Sequence, residues 1–354
     1  MSDHHGTPSW QRHLLIAWQA RNALSYLLWP ISQLYKALVS ARFWLYRSGF
    51  LKSMRLAVPV VVVGNVVAGG SGKTPVVIAL VQHLQNLGIR VAVVSRGYGR
   101  TSRTCLEVTH ASSANEVGDE PLLIHRRTGA AVCVAASRTQ AAQSLLAKHP
   151  DIQIIISDDG LQHLRLHRDV EIGVFDDRGV GNGWLLPAGP LREPWPRPLD
   201  LVLNTGEVPR LAGFKAQRTL AKQAITIKGE VVELQRLASR VNAKPLMAVA
   251  AIGQPAQFFD MLAQQGLHLA QTLALPDHDD FQRWSGAAAK GHLLLCTEKD
   301  AVKLWAFEPE ALAVPLLCTL PEAFYQLFSL RISLRCPSAS VAATLSSAHG
   351  HTTT

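Results

Sequence analysis

One short segment, residues 61–75 with the sequence VVVGNVVAGGSGKTP, limits the fold of this chain more than any other. A β-branched strand runs into a glycine-rich turn ending in Gly72-Lys73-Thr74, and an apolar helix is predicted over 76–87. Glycines in such a turn let backbone N–H groups converge on phosphates, while lysine reaches the β- and γ-phosphates and threonine binds Mg²⁺. A glycine-rich hairpin would not explain the Lys-Thr pair followed by Pro75 in the first helical turn. The segment therefore predicts a phosphate loop for a nucleotide.

The loop is relaxed at the start of its motif. Val67 stands where a strict G-x-x-x-x-G-K-[ST] motif has its first glycine. A rival class, the dimerising ATPase switches of membrane surfaces, carries lysine where this chain has Ala68, so that class is kept only as the alternative function. The predicted nucleotide contacts are Val67, Ala68, Gly69, Gly70, Ser71, Gly72, Lys73 and Thr74.

Size and cysteine content restrict the class of protein. The chain has 354 residues, of which 48% are hydrophobic, so it can bury a sizeable core and favours two domains. Its five cysteines are odd in number, widely spaced and never arranged as C-x-x-C. This usage argues against a disulfide framework or a zinc site, and indicates a reducing, cytosolic environment.

After residue 56, apolar strands alternate with helical stretches, which is typical of a parallel sheet with helices on both faces. These strands are predicted at 58–63, 91–95, 131–135, 152–156, 171–175 and 201–204. Period-two alternation around Lys228-Gly229 predicts a β-hairpin, and a smaller α/β unit follows, with strands at 246–251, 267–275, 293–296 and 313–318 and a helix at 255–265.

We therefore expect an α/β fold with a P-loop NTPase-like, mostly parallel sheet, a second, smaller α/β domain and an N-terminal amphipathic helical segment. The expected boundaries are 1–56 for that segment, 57–223 for the core, 224–236 for a hairpin link, 237–336 for the smaller domain and 337–354 for a disordered tail.

The first 56 residues are basic and aromatic. They contain seven Lys or Arg against one Asp, and four of the eight tryptophans. The charge predicts an anionic partner, either nucleic acid or lipid, and the aromatic residues favour lipid. The uncharged run at 22–35 is shorter than the roughly 20 residues that a spanning helix needs. An amphipathic helix at the headgroup level is expected, and a soluble helical hairpin packed on the core is the alternative.

Two carboxylates follow the apolar strand at 152–156. Asp158 and Asp159 lie where a phosphate-loop enzyme keeps its magnesium-facing carboxylate, although Asp-Asp-Gly also suits a plain turn. His163 is either a ligand contact or a polar cap.

Other polar residues have both a structural and a functional interpretation. Arg96 lies in a flexible turn, where it holds an anionic substrate or is merely exposed, and helix capping alone would explain Asp119. The loop at 181–194 is rich in Gly and Pro and carries Arg192 and Glu193, so it is predicted to be an ordered functional loop.

Two further segments lie in the C-terminal half. Three aspartates surround His278, which suits proton relay, although a loop histidine is usually solvated. The segment at 297–300, Thr-Glu-Lys-Asp, is explained as a helix start.

Seven motifs occur in one order along the chain: GNVVAGGSGKTP, SRGYGR, GDEP, SDDGLQH, GNGWLLPAGPLRE, PDHDDF and TEKDAVK. Together they resemble the tetraacyldisaccharide 4′-kinases (lipid A 4′-kinases) of Gram-negative bacteria, and the resemblance runs from about residue 18 to 303. It implies transfer of the γ-phosphate of ATP, with Mg²⁺, to the 4′-hydroxyl of a tetraacylated disaccharide 1-phosphate, which makes lipid IVA.

The resemblance also implies residue roles. Lys73 and Thr74 would hold phosphates and Mg²⁺, with Asp158 or Asp159 completing the metal shell. Asp119 would help to activate the sugar hydroxyl, and His278 would orient it or relay a proton, so the catalytic residues are expected to be Asp119, His278 and Lys73. Weaker expectations of substrate or phosphate contact fall on Asn65, Arg96, Arg192 and Glu193.

The implied substrate also predicts a location. An acylated disaccharide resides in the inner membrane, so we expect a peripheral or monotopic protein on the cytoplasmic face, where ATP is available. No nucleic acid and no obligate protein partner are expected. Because His278 lies across the hairpin from the phosphate loop, domain closure on ATP binding is predicted.

Overall fold

The structure is a computed structural model that describes residues 9–238, 244–287 and 289–335, together with Leu345. Apart from Leu345, the predicted disordered tail at 337–354 lies outside these residues, as do the first eight residues of the chain.

The helices are α1 (Ser9–Gln19), α2 (Ala23–Arg47), α3 (Lys73–Asn86), α4 (Ala114–Val117), α5 (Asp119–Thr128), α6 (Arg138–Lys148), α7 (Leu234–Ala238), α8 (Pro255–Gln264), α9 (Glu298–Leu304) and α10 (Glu322–Arg335). The strands of the first half are β1 (Val60–Gly64), β2 (Val91–Ser95), β3 (Leu106–Glu107), β4 (Ala131–Val134), β5 (Ile154–Asp158), β6 (Val170–Phe175), β7 (Leu201–Asn204) and β8 (Phe214–Lys215). Those of the second are β9 (Gln217–Leu220), β10 (Gln223–Ile225), β11 (Val231–Glu233), β12 (Leu246–Ala250), β13 (Leu269–Ala274), β14 (Leu293–Thr297), β15 (Leu312–Val314) and β16 (Leu316–Thr319).

Eight strands form the first sheet in the order β3-β4-β2-β5-β1-β6-β7-β8. All neighbours are parallel except β3, which runs antiparallel to β4 at one edge. The six strands expected from the sequence are all present within two residues of their predicted positions. The α/β fold with a mostly parallel sheet is therefore confirmed.

Alternate residues of each strand face opposite sides of this sheet, and both sides are covered. On one side, Val61 and Val63 of β1 pack with apolar residues of α3, α5 and α10. On the other side, Ile155 of β5 packs against α6, and Val60 of β1 packs in a cluster that includes Tyr35 of α2. The apolar composition of the strands follows from burial on both faces.

The second sheet has six strands in the order β11-β10-β15-β14-β12-β13. The expected hairpin is present as β10 and β11, and Gly229 adopts a positive φ of 81° in its turn. It is not a separate link, because β10 pairs with β15 and makes the hairpin the edge of the second sheet. The polypeptide connection between the sheets runs instead through β9, which pairs with β16.

The strand expected at 313–318 is divided. Pro315 ends β15, which belongs to the second sheet, and β16 then pairs with β9. After β16, helix α10 returns to the first sheet, where Phe324 and Phe328 are fully buried. The domain boundaries at 223 and 237 therefore stay a prediction, with α10 packed on the core that the first sheet builds.

The N-terminal helices present an unusual polarity. Ser25 and Ser32 of α2 are buried, and Ser32 Oγ donates to Leu185 O at 2.8 Å. Leu27 and Leu34 on the opposite side of α2 are 75% and 63% exposed. Among the described residues, no helix is both long enough and apolar enough to cross a bilayer.

The two domains also meet through α5 and α9, where Arg127 Nη1 lies 2.7 Å from Glu298 Oε2. Both side chains are mostly buried, with 18% and 13% exposed. Burial raises the pKa of Glu298, and Arg127 opposes that rise. Arg127 therefore compensates a carboxylate that the domain interface removes from water.

We predict that Arg127→Met lowers the free energy of unfolding by about 3 kcal/mol, because it leaves Glu298 buried without its cation. Arg127→Met/Glu298→Gln should recover most of this loss. Urea denaturation checks both variants, with Arg126→Met on the exposed side of α5 as the control. A double variant no more stable than Arg127→Met would contradict the buried-pair explanation.

Candidate active site

The phosphate loop connects β1 to α3. Gly72 takes a left-handed conformation with φ 74° as the N-cap of α3, and Lys73 and Thr74 form its first turn. Gly69 and Gly70 are exposed, whereas Ser71 is buried and its Oγ lacks a hydrogen-bond partner within the structure. Thr205, which follows β7, donates to Ser71 O at 2.9 Å and so holds the backbone of the loop. The free N–H groups of the helix start suit an anion.

The first part of the loop is held by residues 190–192. Ala68 N donates to Pro190 O at 2.8 Å, and Arg192 N donates to Val66 O at 2.7 Å. Val67 is buried, and its N–H donates to Asn65 Oδ1 at 2.9 Å. Because the N–H groups of Val67 and Ala68 have internal partners, these residues frame the loop, and their contact with a nucleotide stays a prediction.

Arg178 lies beside the exposed glycines. Its guanidinium group forms an ion pair with Asp176 at 2.8 Å and donates to Gly70 O at 2.5 Å. A Cβ atom at Gly69, where φ is 95°, would approach the Arg178 guanidinium to 3.0 Å. Glycine is therefore favoured at 69 by its backbone conformation, and a larger residue would also make the Arg178 guanidinium shift by a few tenths of an ångström.

Asp158 ends β5 as a buried carboxylate, with 1% of its surface exposed. Its Oδ2 accepts from Ser95 Oγ at 3.3 Å, whereas Oδ1 has no partner. Burial raises the pKa of Asp158 to about 7; Glu120 adds to the rise, and Lys73 opposes it. A buried carboxylate with an unpaired oxygen beside a phosphate loop fits a divalent cation.

Asp159 is paired within the protein. Its two oxygens accept from Arg192 Nη1 and Nη2 at 3.0 and 2.9 Å, and Lys73 Nζ lies 3.6 Å from Oδ1. Burial acts to raise the pKa of Asp159, but Lys73 and Arg192 hold it well below its usual range. The carbonyl oxygen of Asp159 also accepts from the buried Arg138 at 2.7 Å. Asp158 is thus the carboxylate with an oxygen left for a metal.

In the described residues, no three His, Cys, Asp or Glu side chains form a group that could hold a metal by themselves. Magnesium in phosphoryl-transfer sites is held by one or two protein oxygens together with substrate phosphates. Thr74 and Asp158 therefore match the donor set that Mg²⁺ requires beside a nucleotide.

Two further predicted residues have different environments. Arg96 is exposed at the end of β2. Glu193 is fully buried, and its Oε1 accepts from Arg197 at 2.9 Å while Oε2 has no partner. Glu193 anchors the 181–194 loop through Arg197, which also pairs with Glu171 at 2.6 Å.

Asp119 and His278 meet across the domain interface. His278 Nδ1 lies 3.0 Å from Asp119 Oδ2, although the two residues are 159 positions apart. Asp119 is the first residue of α5, and its Oδ1 accepts from Glu120 N at 3.0 Å. The N-cap is Gly118, with no side-chain capping bond, so the capping interpretation of Asp119 is wrong, whereas its carboxylate pairs with His278. His278 has a positive φ of 64° and is held by its N–H bond to Ala251 O.

Two lysines of the TEKDAVK motif, which the sequence alone did not mark as site residues, complete this cluster. Lys303 Nζ lies 3.4 Å from Asp119 Oδ2, and Lys299 Nζ lies 3.2 Å from His278 Nε2. Burial acts to raise the pKa of Asp119, but the His278 hydrogen bond and both lysines hold it well below its usual range. The expected helix start is present, since Thr297 caps α9. The available signal was the four-residue spacing of the lysines, which puts them on one helix face.

A cleft between the domains links the phosphate loop to this cluster. Its lining includes residues 70–75 together with Glu120, Asp277 and Lys299. The rest of its wall is largely apolar, with contributions from Ile78, Leu123, Leu220, Ile252, Phe258, Met261, Val314 and Leu316. The site therefore joins an anion-binding loop, a paired carboxylate and an apolar pocket.

Comparisons with known proteins agree with this geometry. The family model described as tetraacyldisaccharide-1-P 4′-kinase matches residues 24–333. Relatives named tetraacyldisaccharide 4′-kinase include one from Acidovorax sp. (strain JS42), 54% identical over 90% of this chain and 93% of its own. Another, from Polaromonas naphthalenivorans (strain CJ2), is 52% identical over 96% of this chain and 99% of its own.

A solved structure, described as the "apo" form of LpxK from Aquifex aeolicus in complex with ATP, has a TM-score of 0.74 and 31% identity. The similarity covers 87% of this chain and 99% of that one. These matches support the kinase interpretation over the alternative of an ATPase switch.

His163 generates a pH prediction. Burial lowers the pKa of His163 to about 4, and Arg138 and Arg168 add to this effect. A histidine in the unfolded chain titrates near 6.5. Between pH 6.5 and 4, residue 163 is therefore protonated in the unfolded chain but neutral in the folded protein. Stability from His163 is therefore complete above pH 6.5 and falls as the pH drops.

We predict that lowering the pH from 7 to 5 destabilises His163→Gln less than the wild-type protein. The pH slopes of the unfolding free energy should differ by less than about 1.4 kcal/mol per pH unit. Urea denaturation at pH 7, 6 and 5 measures the slopes. His268→Gln, at an exposed histidine, should keep the wild-type slope. The assignment is wrong if the His163→Gln slope equals that of wild type.

Proposed function

The chain belongs to the tetraacyldisaccharide-1-P 4′-kinase family, and we propose that it phosphorylates its lipid substrate with Asp119 and His278 as an interdomain pair beside the phosphate loop. It is an ATP-dependent kinase of lipid A biosynthesis. The observation that carries the proposed site is the 3.0 Å contact between these two residues, whose neighbours Glu120 and Asp277 line the same cleft as the phosphate loop.

ATP is the phosphate donor, and the helix start at Gly72, Lys73 and Thr74 receives its phosphates. The ammonium group of Lys73, which is paired with Asp159 here, moves to the β- and γ-phosphates when ATP binds. The apolar wall of the cleft beside Thr74 and Ile78 receives the nucleoside. Thr74 and Asp158 would hold Mg²⁺, which supplies charge neutralisation at the transferring phosphate.

Asp119 accepts the proton of the 4′-hydroxyl while the oxygen of that hydroxyl forms the bond to the γ-phosphorus. The bond from the γ-phosphorus to ADP breaks, and ADP leaves. His278 and Lys303 donate to Oδ2 of Asp119 and fix the direction of its carboxylate. Phosphoryl transfer has a loose transition state, so a positioned carboxylate is sufficient to accept the proton. Both domains are needed for this step, which supports closure of the cleft around ATP.

The remaining predicted contacts divide by their environment. Arg96 is exposed at the end of β2 and contacts an anionic group of the substrate. Arg192 is held by Asp159 and neutralises phosphate charge when Lys73 moves. Asn65 and Glu193 are buried and act indirectly, Asn65 through the Val67 N–H that it holds and Glu193 through the Arg197 side chain.

The protein works at the cytoplasmic face of the inner membrane and docks there through α2. Leu27, Ile31, Leu34 and Leu38 form a stripe along α2, which we call the apolar ridge, and each is more than half exposed. Exposed Lys36 and Arg42 lie on the same helix. An exposed apolar stripe beside cations matches a helix at the boundary of an anionic bilayer. The acylated disaccharide reaches the site from this surface.

The direct test combines purified protein, γ-labelled ATP and tetraacyldisaccharide 1-phosphate in detergent. Label should move to the 4′-position of the lipid in a Mg²⁺-dependent reaction. Hydrolysis of ATP without labelled lipid would overturn the assignment.

We predict that Asp119→Asn lowers kcat by about 10²- to 10⁴-fold, because the amide keeps the shape of the carboxylate but cannot accept the proton. The Kd of ATP should change less than about threefold, since Asp119 lies outside the phosphate loop. Label transfer and equilibrium ATP binding measure the two quantities, with Asp260→Asn on the exposed face of α8 as control. Equal losses of turnover and ATP affinity would move Asp119 from catalysis to nucleotide binding.

For the apolar ridge, we predict that Leu27→Ser/Leu34→Ser/Leu38→Ser reduces partition onto anionic phospholipid vesicles at least about tenfold, because each leucine buries apolar area in the bilayer boundary. Vesicle flotation measures the bound fraction. The control, Ile227→Ser/Val231→Ser/Leu334→Ser, changes three exposed apolar residues outside α2 and should bind like wild type. Unchanged binding of the ridge variant would place the docking surface elsewhere.

A further inference from the structure

Lys299 contacts the nitrogen of His278 that faces away from Asp119. Its Nζ lies 3.2 Å from His278 Nε2, while Nδ1 of the same ring lies 3.0 Å from Asp119 Oδ2. An imidazole nitrogen is either a donor or an acceptor, and the proton of a neutral ring is on one nitrogen only. The contacts of the two nitrogens therefore decide the tautomer.

The ammonium group of Lys299 is held in its charged form. Its Nζ lies 3.4 Å from Glu120 Oε1 and 3.5 Å from Asp277 Oδ1. Burial acts to lower the pKa of Lys299, but Glu120, Asp119 and Asp277 raise it above its usual value. A charged lysine has three N–H donors and no acceptor, so Nε2 of His278 must accept from it.

We propose that Lys299 is a positioning residue that holds His278 as the neutral tautomer with its proton on Nδ1. The Nδ1–H group then donates to Asp119 Oδ2. The lone pair of Nε2 accepts from the Lys299 ammonium group, so Nε2 carries no proton. His278 orients the carboxylate of Asp119, and the proton of the sugar hydroxyl stays on Asp119. The alternative, a relay through His278, requires a free Nε2.

The charges around His278 come from every neighbouring element. Asp119 and Glu120 face it from α5, Lys299 from α9 and Asp277 from its own loop, and the Tyr98 ring lies 5.1 Å from its ring. Lys303 on α9 contacts Asp119 rather than the imidazole. Without Lys299, Nε2 loses the N–H donor that occupies its lone pair and is left facing carboxylates, so this nitrogen can carry a proton.

This inference rests on the proposed role of Asp119, but its test reads the tautomer directly. Protein labelled with ¹⁵N-histidine gives separate nitrogen shifts for protonated and unprotonated ring positions, and the signals of His278 are those lost in His278→Gln. Wild type should show a protonated Nδ1 and an unprotonated Nε2. Lys299→Met should show a protonated Nε2 in the same buffer, and Lys299→Arg should restore the wild-type pattern.

Turnover supplies the second readout. Lys299→Met should lower kcat about ten- to hundredfold, because His278 and Asp119 lose their fixed orientation, with little change in the KM of ATP. Lys303→Met should lower kcat without changing the His278 signals, and Lys290→Met, at an exposed lysine of the second domain, should match wild type.

Unchanged His278 signals in Lys299→Met would overturn the role of Lys299, whatever its activity. Wild-type turnover in Asp119→Asn would overturn the catalytic role of Asp119 and leave the tautomer result standing, so the two failures are distinguishable.

Discussion

The hydrogen bond between Asp119 and His278 is the contact on which the proposed site depends, because neither domain contains both groups. Asp119 is delivered by the first turn of α5, and His278 by a loop whose positive φ at this residue is unfavourable by roughly 1–3 kcal/mol. The loop keeps that conformation because Ala251 O and Asp119 both hold His278. The buried Arg127–Glu298 pair fixes α5 against α9 beside it.

A second chain of contacts connects the N-terminal helices to the nucleotide loop. Ser32 and Tyr35 on the packed side of α2 donate to Leu185 O and Arg192 O of the 181–194 segment. That segment holds Val66 and Ala68 through backbone hydrogen bonds. Helix α2 and the phosphate loop are therefore joined by short hydrogen bonds through the 181–194 segment. The buried serines explain the polarity of α2, since the protein takes its polar side and leaves its apolar ridge exposed.

Features that depend on neighbouring residues could be predicted from the sequence. The strands and the phosphate loop follow from local periodicity and from glycines next to Lys73. The N-terminal segment was expected either to lie on a membrane or to pack on the core; α2 packs through one side and exposes the other, so the two expectations are compatible.

Features that depend on distant pairing were harder to predict. The hairpin at β10 and β11 has the alternation of any two-stranded unit, and only its pairing with β15 makes it part of the second sheet. Lys299 belongs to the helix start that the sequence predicts. A capping pattern, however, does not indicate which residues the helix contacts, so the contact with His278 could not be predicted. In the sequence alone, helix capping is sufficient to explain Asp119, but Gly118 is the N-cap of α5, and only the fold brings His278 to Asp119.

The low basicity of Asp119 suits the proton-accepting role proposed for it better than strong basicity would. A carboxylate whose pKa is held well below its usual range stays ionised at every physiological pH, but it has little tendency to remove a proton from a resting hydroxyl. In a loose phosphoryl-transfer transition state, bond formation to the acceptor oxygen lags, so the hydroxyl becomes acidic only late in the step. A weak, oriented base then accepts the proton only when transfer is under way. It does not deprotonate water when the sugar substrate is absent. The donors on Asp119 therefore exchange base strength for direction and constant charge.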